Sequence, residues 1–139
     1  MGCRMFEITL ISANDLEVVR KVFKMEVHAR VSIGSTPEKR TPTDKHGETN
    51  PAWNFTMNYT ISESMVQNFN NMVVIKLYCT RMFGDKYIGE VHTSIKELFD
   101  LAYPNGGCAV VSFPVLKGSV NSHGGLKLSY KFGERVINF

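Results

Sequence analysis

Residues 24–33 read KMEVHARVSI, and this stretch has the clearest alternation of apolar and polar side chains in the chain. The apolar positions are Met25, Val27, Ala29, Val31 and Ile33, and the polar positions are Lys24, Glu26, His28, Arg30 and Ser32. A period of two is typical of a β-strand that buries one face. The pattern therefore predicts a strand whose outward face presents Lys24, His28 and Arg30.

The same period recurs along the chain. Four further stretches alternate clearly, at Phe6–Ile11, Trp53–Ile61, Met72–Cys79 and Leu126–Phe132, and three alternate more weakly, at Lys39–Thr43, Tyr87–Thr93 and Ala109–Val115. Residues 94–102 are predicted to be helical, with Ser94 as N-cap, Glu97 three residues on, and Ile95, Leu98 and Leu101 on one side. The sequence thus predicts an all-β fold, an eight-stranded antiparallel β-sandwich with one short helix in a connecting loop.

Length and composition indicate one folded domain. The chain has 139 residues, of which 43% are hydrophobic and 21% charged, so we expect a single domain over 1–139 with its core at about 4–133. No apolar run approaches the roughly 18 residues of a membrane-spanning helix, and residues 1–12 lack the layout of a secretory signal. The sequence has three cysteines, an odd number, and they lie far apart, at Cys3, Cys79 and Cys108. This pattern favours free thiols in a reducing cytoplasm over a disulfide framework or a zinc site.

Enzymatic motifs are missing from the sequence. It contains no G-x-S-x-G, phosphate-binding loop, H-E-x-x-H or C-x-x-C. The histidines, at positions 28, 46, 92 and 123, have no metal-like spacing, and His28 and His92 are expected on the surfaces of strands. We therefore expect no catalytic activity.

Several motifs occur in the order found in a known family. They are FEITLISANDL at Phe6–Leu16, TNPAWNF at Thr49–Phe55, VIKLY at Val74–Tyr78, DKYIGEV at Asp85–Val91 and GGLKLSYKFG at Gly124–Gly133. Together they resemble a C2 domain, and the last one resembles the final strand of small plant single-C2-domain proteins of the cold- and defence-responsive type. The resemblance implies a Greek-key sandwich. As structural residues, Trp53 is expected to anchor the core rather than to contact a ligand, and Gly89 is expected to allow close strand packing.

The resemblance also identifies where C2 domains hold calcium. In the family, about five aspartates in loops at one end bind the ion, because calcium takes six to eight oxygen ligands. Their positions fall on Arg20, Glu26, Cys79, Arg81 and Lys86, with Asp85 in place of Lys86 if the register shifts by one. Only one of the five is acidic and three are basic, and positive charge repels a cation. We expect no functional calcium site and no other cofactor.

The charge of the chain is concentrated in one segment. The net charge is +3 at pH 7, and residues 20–45 contain seven basic side chains against three acidic ones. C2 domains often bind anionic head groups at such a surface, and each cation near an anionic membrane contributes about 1 kcal/mol. The expected lipid-binding residues are Lys24, His28, Arg30, Lys39, Arg40, Arg20, Arg81, Lys86 and Phe83. Phe83 is expected either to insert into the membrane interface or to cap the core.

These features predict a non-catalytic module that binds anionic phospholipids or phosphoinositides without calcium, peripherally at the plasma membrane, in signalling, stress or defence. The alternatives are a solvated strand face interrupted by Glu26, a protein-interaction module with a signalling or membrane-anchored partner, and a calcium sensor with an altered site. A charge of +3 is too small to indicate nucleic-acid binding. Acylation of Gly2 or Cys3 is disfavoured, since the myristoylation pattern wants Ser or Thr where Phe6 lies. Oligomeric state is left open.

Overall fold

The computed structural model describes residues 2–118 and 120–137 of the chain. The strands within these residues are β1 (Gly2–Asn14), β2 (Val27–Ile33), β3 (Lys39–Arg40), β4 (Ala52–Ser62), β5 (Met72–Cys79), β6 (Lys86–Ser94), β7 (Cys108–Lys117), β8 (Val120–Phe132) and β9 (Val136–Ile137). One α-helix, α1 (Ile95–Ala102), and two 3-10 turns, Glu63–Val66 and Tyr103–Asn105, lie between them.

The strands form two antiparallel layers. The hydrogen-bonded order is β3-β2-β5-β6-β7-β8-β1-β4, with β9 paired to the start of β1. β6 and β7 meet at only one residue pair, Glu90 with Leu116, so the path divides there into layers of four strands each. The predicted all-β antiparallel sandwich with a short helix is therefore confirmed. Among the described residues, eight strands follow the hydrogen-bonded path, and the short β9 is a ninth that the sequence does not predict.

The core fills the space between the layers as the period-two pattern predicts. In β2 and β5 every inward position is fully buried, at Val27, Ala29, Val31, Ile33, Val73, Ile75, Leu77 and Cys79. The opposite layer contributes Phe6, Ile8, Leu10, Leu126 and Leu128, which are equally buried. The indole of Trp53 packs against this core and its Nε1–H donates to the carbonyl of Val27 at 2.9 Å, which confirms its role as an anchor.

The helix begins where its capping residue predicts. The Ser94 hydroxyl oxygen accepts a hydrogen bond from the Glu97 amide at 3.1 Å, as an N-cap does. Ile95, Leu98 and Ala102 are buried, whereas Leu101 is half exposed. The expectation for Leu101 is wrong because positions 95, 98 and 102 share one face at 3.6 residues per turn, and position 101 lies at its edge.

Two of the strands that carry predicted site residues are shorter than the sequence predicts. β2 begins at Val27, so Lys24 lies in the preceding loop and not on the strand. β3 contains only Lys39 and Arg40 of the predicted Lys39–Thr43. Pro42 has no N–H with which to continue the ladder, and this shortens β3.

Gly89 is required by the close approach of β6 to β7. A Cβ at this position would lie 2.6 Å from Val115 Cγ1 and 2.9 Å from the carbonyl oxygen of Leu116. The interpretation of Gly89 as a close-packing residue is confirmed.

We expect Gly89→Ala to lower the free energy of unfolding, measured by urea denaturation, by about 1–3 kcal/mol, because the added methyl group overpacks the contact between β6 and β7. Gly133→Ala, whose added Cβ would meet Met5 at 3.4 Å or more, is the matched control; equal losses in both variants would contradict this account.

Candidate functional site

Three loops meet at one end of the sandwich, which we call the apex. They are loop A (residues 15–26, between β1 and β2), loop B (residues 41–51, between β3 and β4) and loop C (residues 80–85, between β5 and β6). The Leu16 amide donates to the Thr49 carbonyl at 3.0 Å and joins loop A to loop B. The Thr80 amide donates to the Glu26 carbonyl at 2.7 Å and joins loop C to loop A. The apex is therefore one connected surface.

Large apolar side chains stand exposed at the tips of loops A and C. The exposed fractions are 87% for Val22, 66% for Phe23, 88% for Met82 and 95% for Phe83. Within loop C, Arg81 Nε donates to the Gly84 carbonyl at 2.9 Å and closes the turn between them. Phe83 does not cap the core, so that half of the expectation is wrong. Clustered exposed apolar residues of this kind mark interaction surfaces.

Basic side chains surround these apolar tips. An open groove of about 850 Å³ lies between loops A and C and is lined by Val19, Arg20, Lys21, Val22, Phe23, Arg81, Met82 and Phe83, without an acidic side chain among the described lining residues. Lys24 lines an adjacent groove of about 540 Å³, which also includes Glu48. Lys86 is exposed at the start of β6. The apex thus brings together four of the residues predicted to bind lipid, namely Arg20, Arg81, Phe83 and Lys24.

Arg20 lies between loops A and C. Its Nη1 faces the carbonyl oxygens of Lys24, at 3.3 Å, and of Thr80, at 3.5 Å. Its guanidinium carbon is 5.0 Å from the centroid of the Phe23 ring, within cation–π distance. One half-buried cation therefore contacts the backbones of both loops and one of the exposed aromatic side chains.

The residues at the family's calcium positions do not match the requirements of that ion. Arg20 occupies the space between the loops, Cys79 is fully buried in the core, and Arg81 closes loop C. Glu26 is the single carboxylate of the five. Among residues 2–118 and 120–137 no group of three or more His, Cys, Asp or Glu side chains is placed to hold a metal ion. A calcium ion needs six to eight oxygen ligands, several of them anionic.

Asp85, the alternative ligand, is already engaged. Its carboxylate accepts a hydrogen bond from Arg30 Nη2 at 2.6 Å and another from the Arg81 amide at 3.2 Å. Burial alone would raise the pKa of Asp85, but the hydrogen bonds from Arg81 and Arg30 outweigh it and hold the pKa below its ordinary value. This ion pair ties the end of loop C to the outer face of β2.

His28 is buried, so its prediction as a surface residue is wrong. Alternation does place it on the outward side of β2, yet its exposed fraction is 0%. Its ring stacks on Tyr78 with centroids 5.8 Å apart, and Arg30 lies over the same Tyr78 ring at 3.9 Å. Long neighbouring side chains cover His28, which alternation alone does not reveal.

The hydrogen bonds of His28 define a neutral ring. Arg30 Nε donates to His28 Nε2 at 3.1 Å, so Nδ1 carries the proton and donates to the Thr80 hydroxyl at 2.6 Å. Burial, together with the positive charges of Arg40 and Arg30, lowers the pKa of His28 to about 4. His28 therefore supplies no positive charge for a lipid head group near neutral pH.

The predicted basic strand face is divided by the structure. Arg40 on β3 pairs with Arg30 on β2, so both lie on the outer face of the sheet. On the neighbouring strands β5 and β6, Lys76 pairs with the acidic Glu90. Lys39 points the other way: its Nζ donates to the Asn58 carbonyl at 2.8 Å and lies 4.2 Å from the Tyr59 ring centroid. No single exposed cationic face therefore contains Lys24, His28 and Lys39. Lys24 precedes β2, His28 is buried, and Lys39 faces the edge of β4.

Comparisons with known proteins identify the family. Residues 4–108 match the model of the C2 domain family. The chain is 36% identical over 140 residues to protein SRC2 of Glycine max, covering 98% of the chain and 48% of that protein. It is 34% identical over 140 residues to an SRC2 homolog of Arabidopsis thaliana, covering 97% of the chain and 42% of the homolog. The chain spans about half the length of these plant relatives, and the predicted resemblance to plant C2 proteins is confirmed.

Solved structures share the fold at low sequence identity. A C2 domain of plant extended synaptotagmin 1 has a TM-score of 0.78 at 14% identity, and the match covers 96% of each chain. Human GIVD cytosolic phospholipase A2 has a TM-score of 0.77 at 15% identity, and the match covers 96% of this chain and 16% of the phospholipase. In the part of the chain that the structure describes, no helix is long and apolar enough to span a membrane.

Neutral His28 predicts a specific dependence of stability on pH. Its pKa is about 4 in the folded protein against an ordinary value of 6.5, so between these values the unfolded chain binds a proton that the folded protein does not. The stabilisation is complete above pH 6.5 and is lost as the pH falls to about 4. We expect the free energy of unfolding to decrease by up to about 3 kcal/mol across this window, measured by urea denaturation.

His28→Gln, which cannot take up this proton, should flatten that pH dependence, and the exposed His46→Gln should retain it. Four carboxyl groups also have lowered pKa values, but they change the stability at lower pH because the ordinary pKa is 3.8 for Asp and 4.5 for Glu. These groups are Asp44, Glu63, Asp85 and Glu90. Parallel pH profiles for the wild type and His28→Gln between pH 6.5 and 4.5 would contradict the assignment.

Proposed function

The chain belongs to the C2 domain family, and from that premise we propose that it binds anionic phospholipid membranes peripherally, through the apex and without calcium. C2 domains of this kind bind membrane lipids. The observation that most supports this function is the position of Phe83, 95% exposed at a loop tip and sharing one groove with Arg20, Lys21 and Arg81. The proposed ligand is a phosphate-bearing head group, with acyl chains in contact with the aromatic tips.

Two forces add at such a surface. Burial of a side chain the size of phenylalanine in an apolar environment is worth about 1.5–3 kcal/mol when complete. Each Lys or Arg close to an anionic membrane surface adds about 1 kcal/mol, and this part is screened by salt. The apex offers both within two loops, so membrane binding is expected to be salt-sensitive but not abolished at moderate salt.

The outer face of β2 is less suited to this role. Arg30 is paired with Asp85 at 2.6 Å and stacked on Tyr78, and His28 is buried beneath it. A head group would have to displace those partners of Arg30. The loss of these contacts would offset much of the attraction between the head group and Arg30. Arg40 remains exposed on this face and is proposed to help orient the domain after the apex has made contact.

The same residues support calcium independence. Three of the five family positions are basic, and Arg20 lies between the loops that would share the ion. We also propose that the module is non-catalytic and acts at the plasma membrane as an adaptor in signalling, stress or defence responses. The similarity to SRC2 proteins of Glycine max and Arabidopsis thaliana supports a role in plants, and that similarity covers about half of those proteins.

Vesicle sedimentation in the presence of a chelator tests the proposal. We expect the wild-type protein to bind phosphatidylcholine vesicles that contain phosphatidylserine or phosphoinositide, and not vesicles of phosphatidylcholine alone. Phe83→Ser should weaken binding roughly tenfold, because the variant loses the insertion of one aromatic side chain. Raising the salt concentration should weaken both proteins further.

The matched control is Val110→Ser, which removes an apolar side chain 64% exposed on β7. It should bind vesicles as the wild type does. Equal losses in the two variants would contradict an apical site, and binding that requires added calcium would contradict calcium independence. If no anionic vesicle binds the wild type at low salt, the lipid function is wrong and the apolar apex becomes a surface for a protein partner.

A further inference from the structure

We infer that Arg20 is a positioning residue, an internal cation that holds loops A and C in one arrangement and so presents Phe23 and Phe83 to the membrane together. The inference rests on the proposed membrane function but concerns how the site is assembled. In this inference Arg20 positions the loops and is not needed to attract head groups. Lys21, in the same groove, can attract them.

The contacts of Arg20 are directed inward. Its Nη1 faces the Lys24 carbonyl of loop A at 3.3 Å and the Thr80 carbonyl of loop C at 3.5 Å, and its guanidinium lies 5.0 Å from the Phe23 ring. Both carbonyls belong to loop backbones and point toward the cation. A charged donor between two carbonyl oxygens is stronger than a neutral one, and the arrangement joins segments 60 residues apart in sequence.

Loop C is fixed at its other end by a second arginine. Asp85, the last residue of the loop, accepts a hydrogen bond from Arg30 at 2.6 Å, while Arg20 contacts Thr80, the first residue. The Met82-Phe83 tip lies between these two attachments. Loop C is therefore attached to loop A at Thr80 and to β2 at Asp85. Among the hydrogen bonds and ring contacts of the described residues, those of Arg20 connect loop C to Phe23 at the tip of loop A.

This arrangement makes the apex permanent. A site assembled by a soluble ion exists only when that ion is present, whereas a guanidinium is charged at all physiological pH values and cannot dissociate from the chain. The loops are therefore ordered before a membrane is met, and membrane contact does not have to supply the entropy of ordering them.

Lys21 provides a matched comparison. Arg20→Gln and Lys21→Gln each remove one positive charge from the same groove, and Lys21 has no hydrogen bond or ion pair among the described residues. Lys21→Gln should weaken binding to phosphatidylserine-containing vesicles roughly fivefold, the effect of one membrane-facing charge. Arg20→Gln should lose at least a further fivefold, because the two tips no longer insert together.

Hydrogen exchange on the free protein measures the positioning role directly. In Arg20→Gln the amides of residues 20–26 and 80–85 should exchange roughly tenfold faster than in the wild type, while in Lys21→Gln they should not change. Arg20→Lys restores the charge without the planar group that contacts both loops and Phe23, so it should restore the salt dependence of vesicle binding but only part of the protection. Unchanged melting temperatures would show that the fold is intact in each variant.

The outcomes separate the two proposals. Equal exchange and equal vesicle affinity in Arg20→Gln and Lys21→Gln would overturn the role of Arg20 while leaving membrane binding intact. Selective loss of loop protection in Arg20→Gln, in a protein that binds no anionic vesicle, would support the role of Arg20 and contradict the proposed function.

Discussion

The antiparallel register of β2 against β5 is the constraint on which the apex depends. Val27 pairs with Cys79 and Ile33 pairs with Val73, and every inward side chain between them is fully buried. A slip of one residue would turn all of these side chains to solvent, so the register is strongly determined. The same register places the end of loop A beside the start of loop C, where the Thr80 amide continues the ladder to Glu26 at 2.7 Å.

Arg20, Arg30 and Arg81 have different roles at this end of the sandwich. From the sequence alone, all three are predicted to bind lipid. Arg30 is half-buried and stacked, and it neutralises Asp85. Arg20 lies between two loop backbones, and Arg81 closes the turn of loop C while remaining exposed. The apex is therefore built by cations that satisfy carbonyl and carboxylate oxygens, leaving Lys21 and Lys24 exposed in solvent. Anion binding is attributed to these exposed groups together with the aromatic tips.

The fold could be predicted from the sequence because burial of alternate residues is a local pattern. The long strands and the Ser94 cap follow from the period of two and from capping chemistry. The site was only partly predictable. His28 alternates as a surface residue, but Arg30 and Tyr78 cover it, and this depends on which strands lie side by side. Lys39 alternates with Arg40, and a two-residue strand at the sheet edge offers too little pattern to decide which of the two faces outward. The exposure of Phe83 likewise depends on the loop conformation, which no periodicity encodes.

Insertion of the loop C tip into an anionic bilayer is the central claim, and fluorescence quenching by lipids with brominated acyl chains tests it most directly. Phe83→Trp and, as the control on β7, Val110→Trp are compared with the wild type, whose single tryptophan is Trp53. On anionic vesicles in chelator, the added tryptophan at position 83 should shift its emission to shorter wavelength and be quenched, and that at position 110 should not. Sedimentation of the Phe83→Trp protein with these vesicles without quenching at position 83 would contradict the account.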